Sequence, residues 1–126
     1  MKILVIEDHS IQFKLLKLKL SNLNINELDL ENAQTLSSAI QSLESSKFDL
    51  IVCDLMLPDA RDFEALDAVY EKSNGTPIIV LSGKDDIGDI EEIINKGAKQ
   101  FIPKDSNFAS LVSDAIVAQI ESQINQ

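Results

Sequence analysis

Among its 126 residues the sequence has one cysteine, one histidine, one tyrosine and no tryptophan, and only 4 glycines and 3 prolines. The lone cysteine, Cys53, can close no internal disulfide. A chain so poor in glycine and proline is neither collagen-like nor a low-complexity linker. No apolar run approaches the ~20 residues needed to cross a bilayer, so no membrane span is expected. Met1-Lys2 has the basic start of an export leader, but the apolar run Ile3 to Ile6 is too short for one and meets Glu7-Asp8 at once. A cytoplasmic location follows as an expectation. Basic residues are scarce as well: 11 Lys and Arg stand against 21 Asp and Glu, a formal net charge of -10. Capture of nucleic-acid phosphates needs a basic surface, so direct nucleic-acid binding is not expected. Solubility accounts for most of the acids.

What is present is an ordinary globular composition, 44% hydrophobic and 25% charged, in a length suited to one domain over residues 1–126. Such a chain buries roughly two thirds of its unfolded surface and needs neither metal nor disulfide to fold. Short aliphatic runs recur at Ile3-Leu4-Val5-Ile6, Leu50-Ile51-Val52-Cys53 and Ile78-Ile79-Val80-Leu81, with weaker ones at Glu27 to Leu30 and Gln100 to Ile102. They read as strands, mostly buried on both faces. Helical spacing joins Phe63, Leu66, Val69 and Tyr70, then Ile87, Ile90, Ile93 and Ile94, and finally Leu111, Val112, Ala115, Ile116 and Ile120. Asn74-Gly75-Thr76-Pro77 and Gly97 supply stop signals, and Asp105-Ser106-Asn107 offers caps for a last helix. Five alternating β-α units imply a doubly wound parallel sheet with helices on both faces and right-handed crossovers.

Ligands of such sheets bind beyond the carboxyl ends of the strands. Those ends carry Glu7-Asp8, Asp54, Ser82 and Lys104. Each residue alone has a plain structural explanation as a cap, a turn former or solvated surface. Three carboxylates brought together, however, require a cation or shifted pKa values. Oxygen ligands in an open site suit Mg²⁺, which readily shares its coordination with a phosphate, while a lysine and a hydroxyl can hold phosphoryl oxygens.

Glu7-Asp8, Asp54-Leu55-Met56-Leu57-Pro58, Leu81-Ser82-Gly83 and Gly97-Ala98-Lys99-Gln100-Phe101-Ile102-Pro103-Lys104 resemble, in order and spacing, the motifs of response-regulator receiver domains. The resemblance implies a flavodoxin-like strand order 2-1-3-4-5. It implies that Asp54 is the nucleophile and phosphorylation site, receiving its phosphoryl group from a histidine kinase or a histidine phosphotransfer protein. Asp8, Asp54 and the backbone carbonyl of Met56 would ligate Mg²⁺, with Glu7 acting through water. Lys104 and Ser82 would serve the transfer. Ser82 and Phe101 would then switch a surface read by a downstream protein target. Met56 and Lys84 would flank the phosphoryl group and set its lifetime.

Two positions depart from the family pattern. Asp62 stands where a glycine is usual, so that the loop differs or Asp62 caps the third helix. Asp105 stands where proline commonly follows the lysine through a cis bond, and a cis bond without proline costs about 3 kcal/mol, so a trans bond is expected. Other readings fit less well. A flavin-binding electron carrier needs a phosphate-cradling loop that His9-Ser10-Ile11-Gln12 does not supply, an aspartate-dependent phosphatase needs an acid where Met56 stands, and no nucleotide-binding G-x-x-x-x-G-K-[ST] occurs. A receiver-like interaction module that is never phosphorylated is the nearest alternative. His9 is expected in the loop opening the first helix, and Cys53 as a small buried strand residue.

Overall fold

The computed structural model describes residues 1–23, 28–83, 87–105 and 107–124. The chain alternates strand and helix throughout: β1 (Lys2–Ile6), α1 (Ser10–Ser21), β2 (Asp29–Ala33), α2 (Leu36–Ser45), β3 (Leu50–Asp54), α3 (Glu64–Ser73), β4 (Ile78–Ser82), α4 (Ile87–Asn95), β5 (Gln100–Pro103) and α5 (Phe108–Ile124). The strands form one sheet in the order β2-β1-β3-β4-β5, and every neighbouring pair is parallel. The order reverses between β1 and β3, which opens a crevice at their carboxyl ends.

Side chains leave a strand alternately to its two faces, and here both faces are covered. Ile3, Val5, Leu50, Val52, Ile79 and Leu81 pack with Leu16 and Leu20 of α1 and with Phe108, Val112 and Ile116 of α5. Leu4, Ile6, Ile51, Cys53, Ile78 and Val80 pack on the other side with Ala39 of α2, Leu66 and Val69 of α3, and Ile93 of α4. Two cores therefore share one sheet, which is why β1, β3 and β4 are continuous aliphatic runs rather than alternating ones.

The sequence expectation for the second strand, Glu27 to Leu30, lies too early. Glu27 is outside the described residues, and β2 runs on to Ala33, pairing Lys2 with Asp29 through Ile6 with Ala33. As an edge strand it is only half-buried, so Asp29-Leu30-Glu31-Asn32-Ala33 carries no apolar run to announce it. Tyr70 and Ile94 also leave their expected stripes: both are exposed, while Leu66, Val69 and Ile93 are fully buried. The side chain of Ile87 lies outside the described residues.

The helix ends follow elementary hydrogen bonding. Thr35 and Ser38 form a reciprocal capping box at α2, and Asp59 accepts the Leu36 and Ser37 N–H groups at 2.8 and 3.0 Å. Three free N–H groups of α2 are thus satisfied, and the chain beyond β3 is fastened to that helix. Those bonds hold the Asp59 carboxyl below its usual range. Helix α4 stops as its glycine demands. Gly97, at φ 107°, donates to Ile94 O at 3.0 Å, and Ala98 donates to Ile93 O at 3.3 Å. This is a Schellman end, and Ile93 and Ala98 are both buried in the same core. Asp105 accepts the Asn107 N–H at 2.8 Å just before α5, whereas Ser106 lies outside the described residues.

Candidate functional site

The carboxyl ends of β1, β3, β4 and β5 deliver Glu7-Asp8, Asp54, Ser82 and Lys104 to one rim of the sheet. Asp54 is fully buried, and each of its oxygens has a partner. Oδ1 accepts the Met56 N–H at 2.9 Å, which tightens the chain directly after β3, and Oδ2 is hydrogen-bonded to Lys104 Nζ. The same ammonium lies 3.0 and 3.1 Å from the two oxygens of Glu7. Asn32 of β2 steadies the end of β1 from the other side, donating through Nδ2 to Val5 O at 2.9 Å and Glu7 O at 3.2 Å.

Glu7 is also buried, and burial followed by the charge of Asp54 pushes its carboxyl above the usual range, although Lys104 and the His9 N–H pull the other way. For Lys104, burial draws the ammonium down, but bonds to Asp54 and Glu7 outweigh it and hold the group above the usual lysine range. One cation thus offsets two buried carboxylates. Cys53 plays no part in this chemistry. Burial, reinforced by the charges of Asp54 and Glu7, pushes its thiol up to about 12, so it holds no reactive thiolate.

Glu7, Asp8, His9 and Asp54 each present a ligand atom, all within 4.8 Å of one another. Two buried carboxylate oxygens among them, Glu7 Oε2 and Asp8 Oδ1, receive no directed hydrogen bond. Buried carboxylate oxygens that receive no directed hydrogen bond, with the Lys104 ammonium beside one of them, are what a hard divalent cation seeks, so the residues present fit Mg²⁺. Beside them opens a cleft of about 510 Å³ bordered by Asp8, His9, Met56, Pro58 and Ser82. Ser82 is buried, its carbonyl accepting the Lys104 N–H at 2.9 Å.

This arrangement has close relatives. The family model described as "Response regulator receiver domain" matches residues 3–116. The chain belongs to that family. Among curated relatives of this receiver domain, the sensory transduction protein BceR of Halalkalibacterium halodurans is 31% identical over 121 residues, covering 96% of this chain and 48% of that protein. The autoinducer 1 sensor kinase/phosphatase LuxN of Vibrio campbellii is 30% identical over 94 residues, 75% of this chain and 11% of that protein. The receiver thus spans less than half the length of these curated relatives. Among solved structures, the signal receiver domain of a putative LuxO repressor protein from Vibrio parahaemolyticus superposes with a TM-score of 0.82 at 26% identity, over 98% of this chain and 93% of that one. The family match removes the flavin-carrier reading.

Within the receiver, the residues read from sequence at the strand ends come together as a group, and Lys84 alone of them lies outside the described residues. Met56 sits at the cleft and is 61% exposed. Phe101 is half-buried on β5, packed against the core beneath α2, α3 and α4. Asp62 does not take the capping position of α3, which belongs to Phe63. It stands instead at φ 51°, the left-handed conformation for which glycine is usual. Aspartate tolerates that region better than most residues, so the loop keeps a glycine-like bend without glycine. No cis peptide bond occurs among the described residues.

Sequence reasoning missed two partners. His9 caps no N–H of α1 with its side chain, and its ring turns to the acids, Nδ1 lying 3.0 Å from Glu7 Oε1 and 3.1 Å from Asp8 Oδ1. Its place directly after two acids was the available signal. Asn32, on an edge strand without an apolar run, gave none. Among the described residues no helix is long and apolar enough to cross a membrane.

Proposed function

We propose that this receiver accepts a phosphoryl group on Asp54 from the phosphohistidine of a histidine kinase or histidine phosphotransfer protein. The observation that carries the reading is the Asp54 carboxylate held by Lys104 beside Glu7 and Asp8, at the crevice where the strand order reverses. An Asp54 oxygen would attack phosphorus as the bond from phosphorus to the donor imidazole breaks. The electron pair would leave with that nitrogen, which takes a proton from solvent. Lys104 neutralises charge on the transferring oxygens, and Ser82 offers a hydroxyl to one of them. Asp8, Asp54, the Met56 carbonyl and, through water, Glu7 would hold Mg²⁺, which would supply charge neutralisation when bound. Phosphorylation would draw Ser82 towards the new group and let Phe101 turn inward, altering the surface of α4, β5 and α5 that a downstream protein reads. The similarity to a sensory transduction protein and a sensor kinase/phosphatase supports such a relay.

The decisive measurement is intact-protein mass after incubation with acetyl phosphate and Mg²⁺. One added phosphoryl mass is expected, absent in Asp54→Asn. Equal labelling of that variant would move the acceptor elsewhere.

A further inference from the structure

The acidic pair has a neighbour that its expected chemistry does not use. His9 is the only histidine of the chain, and its side chain is 59% exposed at the mouth of the site. Its backbone N–H bonds Glu7 Oε1 at 3.0 Å, and its ring nitrogen Nδ1 stands 3.0 Å from Glu7 Oε1 and 3.1 Å from Asp8 Oδ1. A divalent cation with bonds of about 2.1 Å keeps neighbouring ligand atoms about 3.0 Å apart when six-coordinate and about 3.4 Å apart when four-coordinate. Nδ1 therefore already stands from each acid oxygen at the spacing of neighbouring ligands around one ion. The ring has no helix-capping duty to hold it elsewhere. The second indication comes from Glu7, whose side chain is only 2% exposed and whose Oε2 receives no directed hydrogen bond although Lys104 is near.

We propose that His9 adds an imidazole nitrogen to the cation site of Glu7 and Asp8, so that the site prefers a borderline divalent ion such as Zn²⁺ over Mg²⁺. The inference rests on the reading of those two acids as cation ligands. Mg²⁺ gains little from nitrogen, whereas imidazole is a preferred ligand of Zn²⁺. Ligation places the ion where an Nδ1 proton would sit, leaving the neutral ring protonated at Nε2 and free to face solvent. Competition from sulfur is excluded, because the single thiol, Cys53, is wholly buried.

The test uses the full chain without an affinity tag, in the parent and His9→Gln forms. Its one histidine makes the imidazole nitrogen NMR signals unambiguous. Zn²⁺ at one equivalent should shift the Nδ1 signal to the position of a metal-bound nitrogen, and saturating Mg²⁺ should not. Calorimetric titrations with each ion should show the Zn²⁺ to Mg²⁺ affinity ratio falling by about tenfold or more in His9→Gln. His9→Ala should fall at least as far, having no side-chain amide to substitute. A ring signal unmoved by saturating Zn²⁺, or a ratio altered by less than about threefold, overturns the inference. If the parent binds Mg²⁺ but His9 proves indifferent to Zn²⁺, only this inference fails; a parent that binds neither ion sinks the reading of Glu7 and Asp8 as well.

Discussion

Lys104 and Glu7, 97 residues apart in sequence, meet at 3.0 Å across the ends of two strands, β3 and β4, that separate theirs in the sheet. The ammonium bridges Glu7 and Asp54, so the strand ends around the crevice are joined by charge as well as by the sheet's backbone bonds. Glu7 nevertheless remains a burden, since burial and Asp54 hold its carboxyl above the usual value of 4.5. Ionising it therefore costs more in the fold than in the unfolded chain. The stability this contributes is complete below pH 4.5 and is lost as pH rises through the higher folded value.

In metal-free buffer, Glu7→Gln should therefore raise the melting temperature at neutral pH, with the advantage vanishing as pH falls below 4.5. The same variant should lose most of the thermal stabilisation that added Mg²⁺ gives the parent by mass action. Melting curves across pH, with and without Mg²⁺, check both halves. A variant less stable than the parent at neutral pH would show that the ion pair with Lys104 outweighs the burial of Glu7.

Met56 bears on how long a phosphoryl group would persist. Its exposed thioether borders the same cleft as Asp8 and Ser82, where it cannot orient a water but can obstruct one approaching Asp54. Met56→Asn should speed loss of the phosphoryl group by roughly tenfold, about 1.4 kcal/mol of barrier. First-order decay of donor-free phosphoprotein in Mg²⁺ buffer measures it, and an unchanged rate would show that Met56 shields nothing.

Asp62 holds a left-handed backbone at φ 51°. Asp62→Gly should change stability by less than about 1 kcal/mol, because relief of strain is offset by the freer unfolded chain. Asp62→Val should cost about 1–3 kcal/mol, since a branched side chain tolerates positive φ poorly. Urea unfolding of the two variants separates backbone strain from any role of the carboxylate.

Gly97 combines φ 107° with an added Cβ that would lie 2.2 Å from the Tyr70 ring. The ring is exposed and can move aside, so the backbone is the stiffer obstacle. Gly97→Ala should cost about 1–3 kcal/mol. Adding Tyr70→Ala should return only a minor part of that loss in a double-mutant cycle. Full recovery would assign the cost to the ring.

Much of this was legible from sequence, and the physics says which parts. Strands β1, β3 and β4 announce themselves because burial on both faces demands unbroken aliphatic runs. Glu7, Asp8, Asp54, Ser82 and Lys104 are recognisable because each ends a strand or follows one closely. Edge strand β2 is not, for exposed Asp29 and half-buried Leu30 to Asn32 obey only a weak apolar pattern, and its span is set by pairing with β1. The bridge from Lys104 to Glu7 and the turn of the His9 ring towards the acids depend on side-chain directions across non-adjacent segments. Periodicity does not encode those. Nor does it encode that Asp62 adopts a glycine's conformation, because a residue's type states what it tolerates and the surrounding chain decides what it must do.

Cys53 lies fully buried in the middle strand, paired with Ile6 on one side and Val80 on the other. A thiol reagent cannot reach it without first parting the centre of the sheet. Alkylation in native buffer is therefore gated by the opening of β3, the strand that carries Asp54, and the measured rate counts how often that opening occurs. The residue beside the proposed acceptor is a built-in clock for the integrity of the strand, readable from the mass that one alkyl group adds.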